Sequence, residues 1–147
     1  MDKRTFKAKR IDNGKWIEGW ITKQYRKHHR GELITMMQDK YFGGGSHQVD
    51  TYTICRPTGL IDLNGNDIWE HDIIELPEGE SDEFPRGYVE WDEDRCRFAI
   101  RMGYIDGLPD DWLTMDEYNW EVIGNTFDNR DLLEMPDFDF VDWEEQE

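Results

Sequence analysis

The chain has 147 residues, one domain's worth or two very small modules sharing a core. Its net charge of −17 is uneven: residues 1–75 carry 12 Lys/Arg against 11 Asp/Glu, and residues 76–147 carry 5 against 23. A field of that sign repels nucleic acid and membrane surfaces over about 8–10 Å, and no run approaches the ~20 apolar residues of a membrane span.

The opening MDKRTFKAKR is charged, with no apolar run behind it, so no signal peptide is expected. Cys55 and Cys96 form neither a C-x-x-C pair nor a zinc spacing, and read as reduced, partly buried thiols of a cytoplasmic protein.

In chain order, strand signals dominate. Phe6, Ala8 and Arg10 alternate with Lys7 and Lys9, and Asp12-Asn13-Gly14-Lys15 supplies a hairpin turn into a return strand over 16–21. Asn-Gly is the strongest short-range hairpin signal, because both residues tolerate positive φ. The basic run Arg26-Lys27-His28-His29-Arg30 reads as a solvated turn, since a nucleic-acid footprint is usually a stripe over a whole face. A strand over 32–37 follows, then a flexible Gly43-Gly44-Gly45-Ser46 loop. Residues 48–55 alternate again, with Val49, Thr51, Thr53 and Cys55 on one face. A short apolar strand at 72–76 precedes the polar, proline-bounded PEGESDEFPR. A second hairpin runs over 87–91, turns at 92–95 and returns over 96–101; residues 121–123 are the last strand. Helix is scarce. Only single turns are expected, at 110–115 and, after the capping-type Asp128, at 129–133. The fold class predicted is all-β, or mainly β with one or two helical turns.

The stretch TGLIDLNGNDIWEHDIIEL, residues 58–76, holds five carboxylates and His71. Against a calcium loop, Asp62, Asn64 and Asn66 fill the first three ligand positions. The required glycine is Asp67, however, and the bidentate glutamate is Ile73. His71-Asp72 could start a metal-dependent phosphohydrolase site, but only His28, His29 and His47 remain to complete it. Ser46 and Ser81 sit in no nucleophile elbow, and Gly43 to Gly45 matches no phosphate loop. No catalytic residue, metal ligand or cofactor is therefore predicted. The physical reading is a corner. Asn64-Gly65 supplies a positive-φ pair, Leu60, Ile61, Ile68, Trp69, Ile73 and Ile74 anchor it in the core, and the carboxylates stay in water.

TGLIDLNGNDIWEHDII, then GYVEWDEDRCRFAI, then WEVIGNTFDNRDLLE, resemble the YopX family of phage and prophage proteins over about residues 49–134. FKAKRIDNGKWIEGWI is similar to that family's opening hairpin. One departure concerns a turn: the family usually has E-G-D where this chain has Glu70-His71-Asp72. Residues 102–119 and the tail after Glu134 look like additions. The resemblance implies an N-terminal hairpin-and-sheet part over 1–56 and a small SH3-like barrel over 57–134, followed by an acidic, aromatic tail over 135–147. It also implies a phage-encoded, homo-oligomer-prone protein, and it implies no catalytic residues.

Seven Trp, six Tyr and seven Phe are a large aromatic load for this length. Trp16, Trp20, Trp91 and Trp120 lie on or beside predicted strands and read as core. Trp112, Tyr118 and Trp143 fit a core or a protein interface equally, since exposed Trp and Tyr are enriched at interfaces. In the tail, Phe138 and Phe140 would share one face of a strand added to a neighbour. The favoured function is a non-enzymatic, self-assembling interaction module. Its partners would be copies of itself and a host or phage protein, with no membrane or nucleic-acid partner expected. The alternative is an acidic decoy for a nucleic-acid-binding protein, using Asp/Glu at 78–83, 90–94 and 137–147. A lesser alternative is an enzyme using Asp72, Glu90 or His71.

Overall fold

Alternation of apolar and charged residues builds the first sheet. In a computed structural model describing residues 5–28, 30–77, 86–102, 112–114 (backbone only) and 119–134, β1 (Phe6–Lys9) turns Ala8 fully inward. Lys7 and Lys9 face the other way, as strand period demands. β1 pairs antiparallel with β2 (Trp16–Arg26), β2 with β3 (Leu33–Asp39), and β3 with β4 (Ser46–Val49). The chain then returns to β1. Arg10 and Val49 form a bridge, Asp50 N–H donates to Lys9 O (2.8 Å), and Lys7 and Cys55 exchange both backbone hydrogen bonds (3.1 and 2.7 Å). The four strands thus close on themselves around Ala8, Ile17, Met37 and Val49.

Two expectations change here. The strand expected over 48–55 ends at Val49, because Asp50 Oδ1 accepts the Tyr52 N–H (3.0 Å) and starts a 3-10 turn over Thr51–Thr53. The glycine loop is not slack either. Tyr41 N–H donates to Asp39 Oδ1 (2.9 Å), Gly44 N–H to Tyr41 O (3.0 Å), and Asp39 N–H to Gly45 O (2.9 Å).

In the second half, β5 (Pro57–Ile61) and β6 (Asp67–Trp69) form a hairpin of their own. Then β7 (Asp72–Glu75), β8 (Arg86–Asp92), β9 (Arg97–Met102), β10 (Trp112–Thr114) and β11 (Glu121–Asn125) make an antiparallel sheet in the order β10-β9-β8-β7-β11. β7 is buried on both faces: Ile74 joins Ile68, Leu76, Val89, Ile100 and Trp120, while Ile73 joins Tyr88 and Leu133. Of the helical turn expected at 110–115, the described residues 112–114 are instead strand, β10, paired with residues 99–101. A 3-10 turn does occur at Arg130–Leu133, but Asp128 does not cap it; its side chain reaches Lys9 and Trp16 instead. Of the four tryptophans expected in the core, Trp120 is buried, and Trp16, Trp20 and Trp91 are only partly so.

The corner at 58–76 is a corner, with corrections. Of the Asn64-Gly65 pair only Gly65 has positive φ (81°), Asn64 keeping the ordinary sign, so this reversal is closed by one left-handed residue. Leu60 and Ile61 are exposed rather than anchors, whereas Ile68, Trp69, Ile73 and Ile74 are buried as expected. The carboxylates are not all in water: Asp62, Glu70 and Asp72 are only 6%, 7% and 3% exposed.

His71 sits at φ 72°, in the left-handed region that favours glycine. Glycine at this position would adopt the same φ without a Cβ penalty. Replacing His71 with glycine is expected to raise stability by about 0.5–1 kcal/mol, the relieved strain exceeding the entropy cost of glycine. Urea midpoints of the two proteins check it; a loss would mean that the His71–Phe127 ring contact (5.4 Å) outweighs the strain.

Candidate functional site

Charged and aromatic side chains meet where the closed four-stranded sheet touches the second sheet. Lys7 Nζ lies 3.8 Å from Asp72 Oδ1, and 5.0 and 5.5 Å from the ring centres of Trp16 and Trp69. Asp72 Oδ2 accepts the Trp69 N–H (2.8 Å). Burial pushes the Asp72 carboxyl up to about 6, against the pull of that hydrogen bond and of Lys7. Beside it, Arg56 grips Glu70 with two parallel bonds (Nε to Oε1 3.0 Å, Nη2 to Oε2 2.7 Å) and lies over Trp91 and Phe98. Burial works to raise the Glu70 carboxyl, but the Arg56 bonds hold it below its ordinary value. Asp128 accepts from both Lys9 and the Trp16 indole N–H.

Chemically, this junction is committed to itself. Each carboxylate faces a cation or an N–H, and burial pushes the nearby Cys55 thiol up to about 12, which keeps it from being a thiolate nucleophile. Of the residues weighed for catalysis, Asp72 is paired with Lys7, Glu90 faces Arg101 (3.4 Å), and the His71 ring stands edge-on to Phe127. Among the described residues no three His, Cys, Asp or Glu side chains are placed to hold a metal ion.

A raised carboxyl has a definite pH signature. Between about pH 4 and 6 the unfolded chain has lost this proton and the folded chain keeps it, so this group lowers stability as pH rises through that window. Asn at position 72 cannot ionise. The stability difference between Asp72→Asn and the parent protein should therefore shift toward the variant by on the order of 2–3 kcal/mol from pH 4 to pH 8. Denaturant melts at the two pH values measure it, and a difference independent of pH would refute the assignment.

The exposed apolar groups lie elsewhere. Phe42 is fully exposed (108%) at the tip of the β3–β4 loop, beside the exposed Tyr41. Tyr52, thrown outward by the 3-10 turn, stands with Ile11, Leu33 and Val49 along a cleft of about 720 Å³. Leu60, Ile61 and Leu63 line the β5–β6 hairpin tip. Sequence reasoning passed over Tyr41, Phe42, Tyr52 and Leu63, and took Leu60 and Ile61 for core anchors. An aromatic pair set flush against three loop glycines was the available signal, because residues at a turn tip have nothing to pack against. Of the residues it did single out, Asn64 and Gly65 form the expected turn, and Trp112 lies on β10, paired with Arg101. Tyr118, Phe138, Phe140 and Trp143 lie outside the described residues.

Comparison with known proteins places this architecture. The model of the YopX protein family matches residues 5–134, nearly the whole chain. The chain belongs to the YopX family. That YopX match covers both sheets, the Glu70-His71-Asp72 turn and the Asp128 clamp, and stops where the acidic tail begins. No curated protein matches the sequence. Among the described residues no helix is long and apolar enough to cross a membrane.

Proposed function

We propose that this YopX-family chain is a phage-encoded, non-enzymatic protein-interaction module that self-associates inside its bacterial host. The observation that supports it is Phe42, a fully exposed aromatic on a loop held by its own hydrogen bonds. An aromatic on a pre-ordered loop loses little conformational freedom on docking, which is what makes such residues anchors of interfaces. The decoy reading fares less well, since within the acidic run 90–94 Glu90 is engaged by Arg101 and Asp92 by Arg95. Light scattering coupled to size exclusion, at tens of micromolar protein, should return a mass well above 17.7 kDa. A monomeric parent protein would sink the self-association reading.

A further inference from the structure

Charge divides this chain at about residue 56. Residues 1–56 carry 12 Lys/Arg against 6 Asp/Glu, a net of +6, and residues 57–147 carry 5 against 28, a net of −23. Two copies approaching through like halves repel; through unlike halves they attract. The positive half contains the cleft. Its apolar wall is Ile11, Leu33, Val49 and Tyr52, and Arg26 and Arg30 stand at its rim. Among the described residues, neither these arginines nor the adjacent Lys27 take part in an ion pair. Two carboxylates also line the cleft. They are Glu32 and Asp50, the latter accepting the Tyr52 N–H, and with the adjacent Lys27 the cations outnumber them three to two.

The complementary chemistry lies in the chain's own last 13 residues, MPDFDFVDWEEQE. They hold six carboxylates, no lysine or arginine, and the aromatics Phe138, Phe140 and Trp143. They lie beyond the residues that the family model matches. We propose that the Arg26/Arg30 cleft of one copy receives the acidic, aromatic segment 135–147 of a second copy. Aromatic side chains of the segment fill the space along the apolar wall and stack on the arginines, while its carboxylates meet the guanidinium groups. The cleft volume falls within the range that holds small ligands and peptide side chains. Because a cleft on one copy meets a different surface on the next, the contact is head-to-tail, closing into a ring or growing as a chain. The inference rests on the self-association reading and names its contact.

Two full-length variants test it: Arg26→Glu with Arg30→Glu, which spoils the cleft, and Phe138→Ser with Phe140→Ser, which spoils the segment. Thermal melts matching the parent protein establish that each is folded. Alone, each should run as a 17.7 kDa monomer. Mixed in equal amounts they should form a one-to-one pair, because one variant keeps an intact segment and the other an intact cleft. A cleft variant that retains the parent mass, or a mixture that stays monomeric, would overturn the proposal. A monomeric parent protein would instead sink the self-association reading itself, so the two failures are distinguishable. Salt gives an independent arm. The parent mass should fall as salt rises from about 0.05 to 0.5 M, because opposite charges are being screened. A rise would report only relief of the overall −17 repulsion, and would also overturn the proposal.

Discussion

Replacing Asp62 with alanine is expected to lower stability by about 2–4 kcal/mol, although the residue sits in a polar turn. Its Oδ1 accepts the N–H groups of Asn64 (2.9 Å) and Asn66 (2.8 Å), and its Oδ2 accepts that of Val122 (3.1 Å), 60 positions along the chain. Alanine would leave all three donors without this acceptor, each at a cost of roughly 1–3 kcal/mol where water cannot replace it. It would also loosen the β5–β6 hairpin from β11. Burial alone would raise this carboxyl, but the N–H groups of Val122, Asn66 and Asn64 hold it below its ordinary value. Its contribution is therefore complete above the ordinary carboxylate range and lost as pH falls through the lowered value, so parent and variant should converge in acid. Urea melts at neutral pH and near pH 3 test both claims. A neutral-pH change under about 0.5 kcal/mol would show that the turn holds without its carboxylate.

Ile73→Ala should cost a similar or greater amount, on the order of 2–5 kcal/mol. Ile73 is fully buried on the interior strand β7, packed with Tyr88 and Leu133 and flanked by Ile123 and Leu132. Removing three carbons there loses transfer energy and leaves a cavity that strands pinned on both sides cannot close. Leu60→Ala and Ile61→Ala, equally apolar in sequence, should cost under about 0.5 kcal/mol because both side chains already stand in water. The same denaturant series reads all three. Equal losses would contradict the assignment of inward and outward faces.

The contrast between Ile73 and Ile61 marks how far the sequence could be read. Alternation in 6–10 identified β1 and its inward Ala8, and the glycines of Asn13-Gly14 and Asn64-Gly65 located two reversals, because both signals are local. Even where the strand after Val49 broke, Val49, Thr53 and Cys55 stayed buried on the predicted face. Burial of the carboxylates was not legible. Acidic residues in a turn read as solvated, and nothing near Asp62 announces that its donors include the N–H of Val122. The exposure of Leu60 and Ile61 was hidden for the same reason: β5 pairs with β6 alone, and a strand's partners are not written in its own residues. Phe42 and Tyr52 were missed because pattern reading looks for buried faces.

The Asp128 clamp has a consequence for how the chain is made. Asp128 holds Lys9 and the Trp16 indole across 119 and 112 positions of sequence. During synthesis the N-terminal strands emerge first and can pair locally, since β1, β2, β3 and β4 are each joined to the next by a short connection. Trp16 and Lys9 then wait, without their carboxylate, until Asp128 itself has left the ribosome. Distant contacts of this kind form late and slowly. A chain stopped anywhere before Asp128 therefore presents a different surface around Trp16 from that of the folded protein, so the arrival of Asp128 is itself the event that seals this face.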